Sequence, residues 1–523
     1  MKFPLFLKYT LKKIIFHPLL FAIYPTLFLY NYNKERLTLI LLWLPITAAI
    51  ICTLILYFII NYFIKNKEKA ALITSISIVI ILSYNHFSVT LVNLASSFVS
   101  TFNIRHFISP YRELLTKIVQ DSVLILPLVM LYLLHRKITI RQGTLTYVAN
   151  LISLLLTIPL ILNIFLFQAT SLKTVKRESN PTVVFSREET YPDIYYLIFD
   201  RYAGEETLKE KFDYDNSDFI SFLKSKGFFV ASSSHTNYSR TRFSLVSSLN
   251  MQLLTDMPEI SMSGSSSRKV NELLQNNKLQ QILKKNGYTY IHFSSNWEST
   301  RLNKYADITI NYGLSIDQFT FAVFESSIFY PSLENHLLNK FYRNNIQKTL
   351  DHIGKLPFTK QPKFVFAHIL APHPPYFFDK DGNPFTQKQL KQKEEKGNYL
   401  DYLAYINGQI KKIVEEILLN SKNPPIIILQ ADEGPYLFDK FSTLPPQEKK
   451  ALGIRTGILN AYYAPELDSA TLSDSITPVN TFRLIFNAYF GTSYPRLEDK
   501  IYYVKTDTHQ SATLIDVTDV INH

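Results

Sequence analysis

Ile194–Asp200 reads I-Y-Y-L-I-F-D, six apolar residues in succession closed by an acid. Strict alternation would mark a strand with one wet face, whereas an unbroken run of this length marks a strand covered on both sides. Working outward, similar apolar runs recur at Tyr288–Phe293, Lys363–Leu370, Pro425–Gln430 and Ile458–Tyr463, with a shorter strand at Phe228–Ala231. Helical patterns fill the intervals at Phe219–Lys226, Leu273–Asn286, Leu400–Leu419 and Pro478–Tyr489, and Gly227 and Gly287 stop the first two. Short strands alternating with helices predict an α/β domain over residues 192–523 with a mainly parallel sheet.

Upstream the pattern changes. Five apolar stretches precede residue 170, at Ile14–Tyr32, Leu37–Ile64, Ala70–Ala95, Ile118–Leu134 and Leu145–Ala169. Each is long enough for a bilayer-spanning helix, so residues 1–170 are expected to form a five-helix transmembrane domain. The first stretch is too long for a signal peptide and lacks its small-residue cleavage site, which makes it a retained anchor. Asn85, His86 and Asn93 stand near the end of the third stretch, either at the interface or lining a lipid-entry site. Ten Lys and Arg residues fall on the side of Lys2 to Lys13, Lys65 to Lys69 and Arg136 to Arg141, against five on the side of Lys34, Arg36, Arg105, Arg112 and Lys117. That asymmetry predicts a cytoplasmic N-terminus in the cell membrane and, with five spans, an extracytoplasmic C-terminal domain. Polar residues 171–191 read as a linker between the two.

The chain of 523 residues carries a formal charge of +12, but no zinc-finger spacing or basic helix points to nucleic acid. Much of the charge flanks the apolar spans instead. Cys52, the only cysteine, lies inside a span, which excludes intrachain disulfides and a soluble cysteine nucleophile.

Within the α/β domain, two acidic sites follow apolar strands, Asp200 after the first and Asp432–Glu433 after I-I-I-L-Q. Ligands of open α/β sheets bind beyond the carboxyl ends of the strands, and hard oxygen donors converging there suit a divalent cation. Either acid also fits as an ordinary turn or cap residue. Asn237–Met251, N-Y-S-R-T-R-F-S-L-V-S-S-L-N-M, reads as a turn entering a helix with Thr241 at or near the N-cap. A threonine there is either a cap or a nucleophile whose reaction benefits from the helix N-terminus.

These segments resemble the alkaline phosphatase/sulfatase superfamily, in particular its membrane-anchored branch with lipoteichoic acid synthase and the phosphoethanolamine transferases. The matching pieces are D-I-Y-Y-L-I-F-D-R-Y, S-S-H-T-N-Y-S-R-T-R-F-S-L-V-S-S-L-N-M, F-A-H-I-L-A-P-H-P-P-Y, I-I-L-Q-A-D-E-G-P and I-L-N-A-Y-Y-A-P, in that order over roughly residues 190–495. The resemblance implies an alkaline-phosphatase-like fold, a metal held by Asp200, Thr241 and Asp432, and Thr241 as nucleophile. Where the family usually reads D-H-G, this chain reads D-E-G, which makes Glu433 a fourth candidate ligand. An oxygen donor in place of imidazole favours Mn²⁺ or Mg²⁺ over Zn²⁺. His373 matches a family histidine at the substrate or a second metal, and His368 precedes it on the strand. Strand alternation does not require the two to converge. Trp297 and Arg301 loosely resemble substrate-contacting positions.

The function this resemblance implies is transfer of a phospholipid-derived phospho head group to an envelope glycan or lipid through a phospho-threonine. A membrane-anchored phosphodiesterase, a sulfuric ester hydrolase and a non-catalytic envelope binding protein are the alternatives. Sulfatase chemistry needs Cys or Ser in C/S-x-P-x-R, whereas Thr241 is followed by R-F-S.

Overall fold

The computed structural model describes residues 14–34, 37–101, 142–173, 191–257, 266–312, 317–329, 339–357, 359–435, 448–506 and 512–522. They divide into two compact units, one of Met1–Arg177 with Asp317–Leu338 and one of Glu178–Ile316 with Asn339–His523.

Among the described residues the second unit has nine strands, β1 (Ile194–Phe199), β2 (Phe229–Val230), β3 (Thr289–Phe293), β4 (Ile308–Ile310), β5 (Lys363–Ile369), β6 (Ile426–Gln430), β7 (Asn460–Tyr463), β8 (Tyr502–Thr506) and β9 (Ala512–Asp516). Seven of them form one sheet in the order β2-β7-β6-β1-β5-β3-β4, and β8 and β9 pair separately. Pairing is parallel from β6 through β4, while β7 and β2 join antiparallel at one edge. The opening run behaves as its composition requires. Tyr195, Leu197 and Phe199 face a core shared with the long Glu395–Asn420 helix, whereas Tyr196 and Ile198 face the Thr241–Asn250 and Thr481–Phe490 helices. All six β1 side chains are buried, so the strand has no polar face to show.

Register then sets the chemistry. Ile198 pairs with His368 on one side and Gln430 on the other. The carboxyl ends of β1, β5 and β6 therefore lie side by side, and Asp200, His368 and Asp432 arrive at one edge. The single helix expected over Leu273–Asn286 is two, Ser266–Gln275 and Lys278–Lys285. Asn277 restarts the helix by accepting the Gln280 amide at 2.9 Å, a capping preference that helical periodicity does not reveal.

The membrane unit contains helices α1 (His17–Asn33), α2 (Trp43–Ile64), α3 (Lys67–Thr101) and α4 (Gln142–Lys173). Among the described residues three segments, not five, are long and apolar enough to cross a membrane: Leu39–Ile64, Lys67–Asn85 and Gly143–Ala169. The first expected span is helix α1, whose 17 residues reach only about 25 Å at ~1.5 Å per residue. Ile118–Leu134 lies outside the described residues, as do the side chains of His86 and Asn93.

A further element here escapes a hydropathy reading. Asp317–Leu338, placed by sequence in the extramembrane domain, groups with the membrane helices. Phe319 packs with Leu27, Tyr30, Leu41 and Ile164. Ser326 Oγ donates to Leu82 O at 2.8 Å, Ile328 N to Ile81 O at 2.9 Å, and Asn85 N to Ser326 O at 3.1 Å. These bonds tie the segment to the Ile81–Asn85 turns of α3.

Candidate active site

Asp200 is the first residue beyond β1, and its backbone amide donates to Ile369 O at 2.9 Å, which ties it to the end of β5. His368 sits one residue earlier on β5 and brings Nε2 to 3.6 Å from Asp200 Oδ2. Asp432 follows β6 by two residues. One donor atom from each of Asp200, His368 and Asp432 lies within 4.8 Å of the others, and all three residues are buried. Asp200 Oδ1, His368 Nε2 and Asp432 Oδ2 have no hydrogen-bond partner. Three buried residues with clustered donor atoms, each also carrying an unsatisfied atom, are what a cation site requires, so the residues present fit a divalent metal.

The ring of His368 is set by its other nitrogen. Nδ1 is 2.9 Å from Thr300 Oγ1, and the Thr300 hydroxyl is 2.7 Å from Ser295 Oγ, so Nε2 is left for the cluster. The short Glu298–Arg301 helix that carries Thr300 also seats Trp297, whose ring meets His368 edge-on at 5.4 Å. Arg242 lies over the other part of this platform, 5.9 Å from the Trp297 ring. Arg301 turns its Nε to Glu298 at 3.3 Å.

Thr241 is the first residue of its helix, with Arg240 at the N-cap position in extended conformation. It is half-buried, and its side chain lies near enough to the Asp432 carboxyl to favour the charged form of that acid. The Thr241 amide donates to Glu433 Oε2 at 3.0 Å. Glu433 is also held by Arg455 Nη2 at 2.5 Å and, through Oε1, by Arg201 Nε at 3.4 Å. Arg455 reaches further, to Gly434 O at 3.0 Å and Ser239 O at 2.6 Å. Glu433, a ligand candidate in the sequence, is thus engaged by three N–H donors, and the imidazole of His368 stands in the donor cluster instead. With a nitrogen donor present, the oxygen-only basis for favouring Mn²⁺ or Mg²⁺ over Zn²⁺ falls away; Mn²⁺ and Zn²⁺ both suit the set.

Electrostatics follow the packing. Burial pushes the Asp200 carboxyl up, but His373, His368 and Arg201 outweigh it and hold the group below the usual carboxylate range. Burial, then the charges of Asp200 and Glu433, push Asp432 well above that range. Without a cation, Asp200 carries the charge and Asp432 the proton. Burial pulls His373 down while Asp200 draws it back up. His368 contacts Asp200 directly, whereas His373 acts on it through its charge, from beyond the end of the strand at Ile369, where the alternation no longer applies. Burial lowers Arg455 to about 10, so it stays cationic at neutral pH and pairs with Glu433.

Arg201, Arg455 and Thr300 do not stand out in the sequence. Arg201 has φ +64°, an uncommon backbone state for a residue with a side chain, and its amide points to Asp432 Oδ1 at 3.3 Å. No local pattern marks Arg455, 22 residues beyond Glu433.

A family model for sulfatases matches residues 215–477, half of the chain. The chain belongs to the sulfatase family. The match holds Thr241, His368, His373, Asp432, Glu433 and Arg455, with Asp200 just upstream of it. No curated protein matches the chain. Among solved structures, the sulfatase-family chain is similar to the C-terminal periplasmic domain of EcEptC from Escherichia coli, at 11% identity over 64% of this chain and 94% of that one, with a TM-score of 0.42. It is also similar to the integral membrane protein lipooligosaccharide phosphoethanolamine transferase A (EptA) from Neisseria meningitidis, at 10% identity over 92% of this chain and 94% of that one, with a TM-score of 0.39. A putative sulfatase from Bacteroides thetaiotaomicron is similar at 9% identity over 63% and 86% of the two chains, with a TM-score of 0.37.

Proposed function

We propose that this membrane-anchored sulfatase-family enzyme transfers a phospho head group from a membrane phospholipid to an envelope glycan or lipid, with Thr241 as nucleophile. The observation that carries the reading is Thr241 at a helix N-terminus, beside Asp432 and the three unsatisfied donor atoms. Asp200, His368 and Asp432 would hold a divalent cation together with the Thr241 oxygen. When bound, such a cation supplies Lewis-acid stabilisation of phosphoryl oxygens and lowers the pKa of a coordinated hydroxyl.

Thr241 Oγ1 attacks phosphorus, the Oγ1–P bond forms, and the bond from phosphorus to the diacylglycerol oxygen breaks. His373, whose Nδ1–H donates to the Pro374 carbonyl and so leaves Nε2 as an acceptor, is the residue we assign to take the proton of the Thr241 hydroxyl and return it to the departing lipid oxygen. An acceptor hydroxyl then takes the phosphoryl group from Thr241. Arg201, and Arg242 against Trp297, bias the site toward an anionic phosphodiester. The membrane unit keeps the enzyme beside its donor, with the N-terminus cytoplasmic and the α/β domain extracytoplasmic.

Ester sulfate hydrolysis is disfavoured by the nucleophile. Thr241 is not the Cys or Ser from which that chemistry starts, and Cys52 lies in α2. The test is diacylglycerol release from mixed micelles of phosphatidylethanolamine and phosphatidylglycerol with Mn²⁺, with and without a glycolipid acceptor. Release that accelerates with acceptor and disappears in Thr241→Ala supports transfer. Release that is acceptor-independent indicates a phosphodiesterase, and release retained in Thr241→Ala rejects the assignment.

A further inference from the structure

Glu433 occupies the position at which the resembled enzymes usually carry an imidazole, yet its contacts are those of an acceptor rather than a ligand. Oε2 takes the Thr241 amide at 3.0 Å and Arg455 Nη2 at 2.5 Å, while Oε1 takes Arg201 Nε at 3.4 Å. A carboxylate offers roughly four acceptor positions, and three donors already use them. Arg455 is itself fixed, since Nη1 holds Gly434 O and Nη2 holds Ser239 O. The turn leaves no slack: a Cβ on Gly434 would stand 2.0 Å from Ile454 O, and the Gly434 amide donates to Arg455 O at 2.9 Å. The imidazole that does join the Asp200 and Asp432 carboxylates, with its Nε2 unsatisfied, comes from β5 on the far side of β1, at His368.

We propose that imidazole and carboxylate have exchanged duties in this chain: His368 is the nitrogen ligand of the cation, and Glu433, clamped by Arg201 and Arg455, is a positioning residue that fixes Thr241. Arg240 provides no side-chain cap to the Thr241–Asn250 helix. Glu433 serves instead as a tertiary cap, satisfying a first-turn N–H that has no partner inside the helix and placing negative charge at the positive end of the dipole. Holding that amide fixes the backbone of Thr241, and with it the origin of Oγ1 beside Asp432. Arg201 and Arg455 neutralise the acid, so it stands close to Asp200 and Asp432 without a third uncompensated charge.

The positioning half rests on the proposed role of Thr241; the ligand half does not. Two measurements on the full-length protein in detergent keep them apart. Equilibrium dialysis with Mn²⁺ alone compares wild type, Glu433→Gln and His368→Gln. The expected outcome is that Glu433→Gln keeps Mn²⁺ affinity within threefold of wild type and His368→Gln loses at least thirtyfold. Formation of the phospho-adduct from phosphatidylglycerol is then timed against Mn²⁺ concentration. Glu433→Gln is expected to form it at least thirtyfold more slowly at saturation, with half-saturating Mn²⁺ unchanged. A general loss of structure would shift both readings. If Glu433→Gln does not fold, Glu433→Gln with Arg455→Met removes both buried charges and takes its place. Equal loss of Mn²⁺ affinity in Glu433→Gln and His368→Gln, or an unchanged adduct rate in Glu433→Gln, overturns the proposal. A wild type that binds Mn²⁺ through His368 yet forms no adduct rejects the Thr241 reading and with it the positioning half, while the ligand half stands.

Discussion

Replacing Asp432 with asparagine is expected to make the cation-free protein more stable and to abolish its response to metal. Asp432 is buried next to Asp200 and Glu433, and its donor oxygen lies within 4.8 Å of that of Asp200. At an effective dielectric of about 20, two unit charges at that separation repel by about 3.5 kcal/mol. The protein escapes part of this by leaving a proton on Asp432, at a free-energy cost that grows with pH. The folded carboxyl titrates well above its ordinary value of 3.8, so the folded state binds more protons than the unfolded one above that value. Stability of the cation-free protein therefore falls as pH rises through the folded pKa of Asp432. Asp200, held low, contributes a constant amount across the same window.

An amide at this position keeps the shape and drops the charge. Wild type and Asp432→Asn are to be unfolded with urea across a series of pH values from the ordinary carboxylate range upward, with EDTA or Mn²⁺. In EDTA at the alkaline end of that series the variant is expected to be more stable by up to about 3 kcal/mol, with a flatter dependence on pH. Mn²⁺ at about a hundred times its dissociation constant should add about 2.7 kcal/mol to wild type and almost nothing to the variant. A variant less stable than wild type in EDTA, or an undiminished Mn²⁺ effect, would refute the like-charge argument. A gain in stability on removing a side-chain charge is unusual and marks a site held under strain for its chemistry.

Gly434→Ala would force a Cβ to within 2.0 Å of the Ile454 carbonyl, so the D-E-G turn must move. At least a tenfold loss of diacylglycerol release is expected, since Arg455 and Glu433 shift with it. A second expectation concerns His292, which burial lowers from 6.5 to about 4 while its Nε2 faces the Thr300 carbonyl at 2.7 Å. A lowered histidine contributes stability above its unfolded pKa and loses it as pH falls toward the folded value. Across that window, from the ordinary value of 6.5 down to about 4, the loss should approach about 3 kcal/mol, and His292→Gln should flatten the urea-midpoint profile in that range.

The residues readable from sequence are those whose role is local. β1 betrays itself because six apolar residues cannot face water, and Asp200 and Asp432 stand out because an acid so soon after such a run is exposed by contrast. Thr241 marks the helix start, with the structure setting it at the first turn rather than at the cap. Long-range partners are invisible. Nothing near Thr300 indicates that its hydroxyl orients His368, 68 residues away, and Arg455 reads as one more base in K-K-A-L-G-I-R-T. The D-E-G departure is plain in the sequence, but its consequence depends on two arginines that meet Glu433 only in the folded chain. The alternation argument does not reach His373, because a strand's period ends where the strand does. Asp317–Leu338 escapes because its polar ends hide a short apolar helix, Gln318–Glu325, that hydropathy over a full span cannot register.

The central claim is that Thr241 carries the phosphoryl group in transit. Intact-mass spectrometry of the full-length protein, incubated with Mn²⁺ and phosphatidylglycerol without acceptor and quenched in acid, tests it directly. Wild type is expected to gain the mass of one phospho head group, mapped by fragmentation to Thr241 and lost on adding acceptor, and Thr241→Ala should gain nothing. A protein that turns over donor without any adduct, or an adduct on another residue, would contradict the account.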